Sequence, residues 1–231
     1  MPNGFCNRGA PPRVVRPMQT IKEVQRRKSP GGRPQPLAFH DGLLWIGSWD
    51  THKLYGMDAR RWTVAHEVDA PGRPYGLASV DGAMRVVVAL DDDDRYLFRF
   101  TPEHGFDASS KTPCPDVTGS HLAANGLTLY LCQQGKRRIL ELDDSGSARR
   151  EIALPTRCGG FAFQAPGNCR MLSADEEFDN LTFARIDVNV GAPPAEPIAP
   201  INAEARGLTF DGELWWTSYR EENDVVAFTV A

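Results

Sequence analysis

No apolar run in this chain approaches the roughly 18 residues that a membrane-spanning helix needs, which argues against a helical membrane protein. The first twenty residues lack the apolar core of a secretory signal, so the expectation is a cytoplasmic protein. Cysteine is scarce and odd in number, at Cys6, Cys114, Cys132, Cys158 and Cys169, with neither CxxC nor zinc-ligand spacing. That pattern points to reduced, buried thiols rather than a disulfide framework. Also missing are a nucleophile elbow, a P-loop, a dinucleotide fingerprint and a zinc-protease motif. No cofactor is therefore indicated, and its identity stays unknown.

What is present is an ordinary globular composition, 41% hydrophobic and 24% charged, which rules out wholesale disorder. The net charge of −4 hides an asymmetry. Residues 1–35 hold eight Lys/Arg against one acid, Glu23, leaving 18 basic against 29 acidic in the rest. A basic run such as Arg26-Arg27-Lys28 suits a solvated tail, and residues 1–17 are read as such a tail. The acidic body argues against nucleic acid as the main partner.

Five segments read alike, each a short apolar strand, a tight turn and a second apolar strand. They are PLAF-HDG-LLWIGSW from Pro36, GLAS-VDG-AMRVVVAL from Gly76, HLAA-NG-LTLYLCQ from His121, GFAF-QAPG-NCRMLSA from Gly160 and GLTF-DG-ELWWTSY from Gly207. Asp-Gly and Asn-Gly favour the positive φ of hairpin turns, and four copies carry one. The starts are 40, 45, 39 and 47 residues apart, the period of a propeller blade. A third strand follows each pair. Outer strands are expected over Thr63–Ala70, Ala148–Pro155 and Glu196–Asn202, while Phe106–Asp116 looks poor because it contains Pro113 and Pro115. The fifth copy runs out of chain after three strands. Met18–Gln25 alternates suitably to supply the fourth and leave no long exposed edge. The fold class is thus all-β, a five-bladed β-propeller over residues 18–231 with the N-terminal strand completing the last blade. A stack of open sheets or a β-sandwich is the competing architecture.

Aligning the copies picks out a candidate site at one mouth of the central channel, where loops from several blades converge. Three positions before the aligned residue stand Arg33, Arg73, Thr118, Arg157 and Glu204; one before it stand Gln35, Tyr75, Ser120, Gly159 and Arg206. The third copy places His121 at the aligned position itself. Four arginines with a fixed fork of donors suit a carboxylate or phosphate, and Glu204 or His121 is then the candidate acid/base. Ion pairing that merely closes the ring is the alternative. Trp49 and Tyr219 fall at corresponding loop positions, where they would make an aromatic wall for a flat or sugar-like ligand or, equally, pack within the blades. Cys158, two residues before Gly160, is a conceivable partner for His121. The acidic runs Asp91–Asp94 and DEEFD at 175–179 lack the spacing of a calcium loop, so no metal site is expected.

The stretch Glu204-Ala205-Arg206-Gly207-Leu208-Thr209 resembles a motif of the plant and bacterial type of glutaminyl cyclotransferases, and Gly42–Asp58 looks like that family's first blade. The resemblance implies a five-bladed propeller and an active-site glutamate, which the motif's Glu-Gly-Trp-Gly-Leu-Thr pattern carries onto Glu204. This chain departs from it: Ala205 and Arg206 stand at the motif glycine and tryptophan, the motif falls in the last copy, and the family's second, Asn-Glu-Leu-Glu-type segment is missing. Three functions are carried forward: an enzyme acting on a small anionic or amide-containing molecule, a binder using the same pocket without chemistry, and a protein-interaction scaffold.

Overall fold

A computed structural model describes residues 17–90 and 93–231. The twenty strands form five four-stranded antiparallel sheets. The first blade holds β2 (Pro34–His40), β3 (Leu43–Ser48), β4 (Lys53–Asp58) and β5 (Thr63–Asp69). The second holds β6 (Arg73–Val80), β7 (Ala83–Ala89), β8 (Arg95–Thr101) and β9 (Gly105–Pro113), and the third β10 (His121–Asn125), β11 (Thr128–Gln133), β12 (Arg138–Leu142) and β13 (Ala148–Ala153). The fourth is β14 (Arg157–Ala165), β15 (Asn168–Ala174), β16 (Leu181–Ile186) and β17 (Glu196–Ile201). The last runs β18 (Ala205–Phe210), β19 (Trp215–Tyr219) and β20 (Asp224–Val230), and β1 (Ile21–Lys28) pairs with β20 to complete it. The chain is a five-bladed β-propeller closed by its own N-terminal strand.

Each pair of neighbouring blades buries one apolar core between them, five in all among the described residues. The closing seam joins Leu37, Leu44, Ile46 and Met57 of the first blade to Trp216, Val225 and Ala227 of the last. Alternation explains this arrangement, since each strand turns successive side chains to the two neighbouring blades. Trp45 shows the fit. It is fully buried, with Phe100 edge-on at 5.1 Å and His66 stacked at 5.7 Å.

Two expectations need correcting. The second blade's outer strand does form, as Gly105–Pro113. An outermost strand donates to one neighbour only, so Pro113 is tolerated at its end, while Pro115 lies beyond it in a single 3-10 turn. The basic run at 26–28 is no solvated tail. It lies within β1, where Arg26 binds Glu23, Glu222 and Asp224, and Lys28 lies 2.7 Å from Asp224. Residues 1–16, including Cys6, fall outside the described residues.

The feature that shapes the site is at the neck of the channel. In four of the five inner strands the register slips at the aligned position, between Pro34 and Leu37, Pro74 and Gly76, Cys158 and Phe161, and Arg206 and Thr209. Such bulges bend a strand and re-aim its side chains. Neighbouring strands approach closely here. A Cβ on Gly76 would lie 2.9 Å from the Leu122 amide nitrogen, and one on Gly207, whose φ is 65°, would lie 2.1 Å from the Gln35 carbonyl oxygen. Below this collar, three residues from each inner strand line a cavity of about 140 Å³. Above it lies the mouth.

Candidate binding site at the channel mouth

Trp49 is the centre of the mouth. It follows β3 in a four-residue loop, half-buried, with its ring 4.5 Å from that of Tyr75. Three guanidiniums lie around it, Arg220 at 4.3 Å from the ring centre and Arg33 and Arg73 at 5.5 Å each. A fourth, Arg95, lies 3.5 Å from the centre of the Tyr75 ring. The faces of aromatic rings are negative, and stacked cations of this kind contribute about 0.5–2 kcal/mol each. The Trp49 Nε1 is buried and has no partner among the described residues.

The last blade supplies the rest. Arg206 is half-buried, donates through Nη1 to the carbonyls of Ala203 (2.7 Å) and Ala205 (2.8 Å), and lies 4.5 Å from the centre of the Phe178 ring. Glu204 is half-buried beside it, and its carbonyl accepts from the Arg220 amide. No side-chain hydrogen bond of Glu204 is present among the described residues. Burial, with Arg206 and Arg33 close by, pulls the Arg220 guanidinium down to about 10, against a partial rescue by Glu221. His121 is buried on the third blade; burial first, then Arg220 and Arg206, lowers its imidazole to about 3. It is therefore neutral at physiological pH and a weak base.

Charge balance decides what the mouth can hold. Arg33 reaches Glu221 at 3.5 Å, Arg95 binds Asp93 and the Gly119 carbonyl, and Arg206 is held by backbone. Arg73 and Arg220 have neither an ion pair nor a side-chain hydrogen bond among the described residues; their contact is the indole of Trp49. Two guanidinium forks beside aromatic surface, Arg73 exposed and Arg220 half-buried, have the donor geometry that suits a planar anion.

The structure brings Arg33, Trp49, Arg73 and Tyr75 together directly, with Arg206, Glu204 and His121 on the facing side through Arg220. Arg157 is apart from them. Its Nε donates to Glu176 at 3.0 Å, and Glu176 also takes Arg137 at 2.8 Å, which makes a rim ion pair. Tyr219 is not the counterpart of Trp49. Ser48 pairs with Lys53 as Tyr219 pairs with Asp224, so the residue matching Trp49 is Arg220. Tyr219 is buried under β1 with its hydroxyl on Glu23 at 3.3 Å. The Cys158 thiol lies in the core between the third and fourth blades and donates to the Gly160 carbonyl at 3.4 Å; hydrogen bonding with Cys158, and then burial, raise the neighbouring Cys132 thiol. In the DEEFD loop the Asp175 carboxylate accepts from Asn180 and the Asp179 amide, and Glu176 is in its ion pairs with Arg157 and Arg137. Asp91 and Asp92 lie outside the described residues.

Sequence reasoning missed Arg95, and it placed Arg220 and Phe178 only as members of the strand-joining loops Arg220–Glu222 and Asp175–Asp179. Arg220 holds the position after β19 that Trp49 holds after β3, each opening a four-residue loop.

No family model and no curated protein matches the chain. Among solved structures it is similar to glutaminyl cyclase of Myxococcus xanthus, with a TM-score of 0.70 and 12% identity over 92% of this chain and 97% of that one. It is also similar to PQQ-bound aldose sugar dehydrogenase of Streptomyces coelicolor (TM-score 0.59, 15% identity, covering 88% and 79%). A third is virginiamycin B lyase of Staphylococcus aureus (0.55, 14%, 88% and 82%). At these identities the likeness is one of fold, a propeller architecture that enzymes of several kinds use.

Proposed function

We propose that this propeller binds a small carboxylate-bearing molecule at the mouth of its channel, with the carboxylate on Arg73 and Arg220 and the body of the ligand against Trp49 and Tyr75. The observation that carries this reading is the pair of guanidiniums with no ion pair or side-chain hydrogen bond among the described residues, one of them partly dehydrated. The similarity to a glutaminyl cyclase supports a ligand that also contains an amide. The charge of the mouth favours an acidic one, because an ammonium group would face five guanidiniums. Within this reading Glu204 is the candidate proton acceptor, since His121 is too weak a base. The absence of a hydrogen bond orienting Glu204 favours the second reading, a binder without chemistry.

The test is calorimetric titration with a panel of mono- and dicarboxylates, with and without an amide. The tightest should lose about ten- to a hundredfold in affinity in the Arg73→Gln/Arg220→Gln protein, the scale of one or two charge-assisted hydrogen bonds. Unchanged affinity would place the ligand elsewhere. Glu204→Gln should leave binding intact, and turnover by the wild type but not by this variant would mark an enzyme.

A further inference from the structure

A second cluster of arginines lies on the side of the ring, between the second and third blades. There Arg85 on β7 and Arg99 on β8 are direct cross-strand partners. Partners in such a ladder have Cβ atoms about 4.5–5.5 Å apart, and like charges so placed destabilise a sheet. Both arginines line a cleft of about 380 Å³, within the roughly 300–1,000 Å³ usual for small-molecule sites.

The same register position in other blades shows what is unusual. In the fourth blade the matching pair is Arg170 and Arg185, and there Arg185 is bound by its own cross-strand partner Glu196, while Arg170 binds Asn168. In the third blade the position holds Glu141, matched by Arg150 at 2.7 Å. In the second blade the residue across from Arg99 is Asp107, but its carboxylate accepts from the Ser109 amide (2.9 Å) and hydroxyl (2.6 Å). Neither Arg85 nor Arg99 has an ion pair or side-chain hydrogen bond among the described residues. The fold thus keeps two facing cations without a direct ion pair where a sister blade provides one, and the Asp107 carboxylate acts on Arg99 only through space.

The rest of the cleft selects the ligand. Its floor is Leu97, Leu129 and Leu142, and Leu127, 76% exposed, stands at the edge. The facing rim carries Asp81, Asp143 and Asp144, which would repel a second negative charge. We propose that this cleft binds an aliphatic monocarboxylate, its head bridging Arg85 and Arg99 and its chain lying on the leucine floor. The site is independent of the channel mouth.

Octanoate is the probe and acetate the control for the apolar tail. Calorimetry on the Arg73→Gln/Arg220→Gln protein keeps the mouth from competing, and a crystal of the wild type soaked in octanoate locates the ligand. The proposal expects octanoate density between Arg85 and Arg99, at least tenfold weaker binding after Arg85→Gln/Arg99→Gln, and much weaker binding of acetate. The ligand-free Arg85→Gln/Arg99→Gln protein should melt no lower than its parent, because a repulsion is removed, so lost binding cannot be ascribed to lost fold. Octanoate found only at the mouth or not at all, an unchanged affinity in the variant, or acetate binding as tightly would overturn it.

Discussion

His121 illustrates how one residue reports on its surroundings. Its imidazole is buried beside two arginines and titrates near 3, far under the ordinary 6.5. The unfolded chain therefore takes up that proton first as the pH falls. The stability held by neutral His121 is full above about pH 6.5 and is lost progressively toward about pH 3. Between pH 6.5 and 5 this single group should remove up to about 2 kcal/mol, by proton linkage at about 1.4 kcal/mol per pH unit. Urea unfolding at the two pH values should show that much less acid sensitivity in His121→Asn than in the wild type. Equal sensitivity would mean that His121 is solvated or already charged in the folded protein. At the same scale, Gly207 explains part of the motif match. Its positive φ and its approach to Gln35 require glycine for closing the ring, whatever Glu204 does three residues earlier.

At the scale of elements, the blades were readable because each copy repeats the same turn and strand grammar, but details at the turns were not. Asp41-Gly42 and Asp81-Gly82 form the expected two-residue turns with positive φ throughout. In the third copy the turn slides by one to Gly126-Leu127, and in the fifth Asp211 instead caps a longer loop by accepting from the Glu213 and Leu214 amides. The mouth was half legible: entry-strand positions could be aligned by their glycines, whereas Arg220 and Arg95 depend on loop lengths that only register reveals. The closing strand is the element with most at stake. β1 covers the backbone edge of β20, and its charges neutralise Asp224 and Glu222. Deleting residues 1–28 should lower the melting temperature by more than 10 °C or leave the protein insoluble, because it exposes a long apolar edge. A peptide of residues 18–28 added in trans should restore part of the loss. A melting temperature that does not move would contradict the clasp.

For the whole molecule, the acidic body and the arginine-rich mouth are complementary facts. With 30 acids against 26 basic residues overall, a local excess of guanidiniums must be held against the average, and the fold does so by bringing arginines from three blades and adjoining loops to one end of the channel. Such a concentration focuses the field on an incoming anion, an effect that salt weakens. The most direct measurement is the crystal structure of the protein soaked with the tightest-binding carboxylate of the panel. The account predicts its carboxylate within about 3 Å of Arg73 and Arg220, with the ligand's body against Trp49 and Tyr75. A mouth that stays empty, with Arg73 and Arg220 turned onto Glu204 and Glu221, would contradict it and leave the arginines as a device for closing the ring.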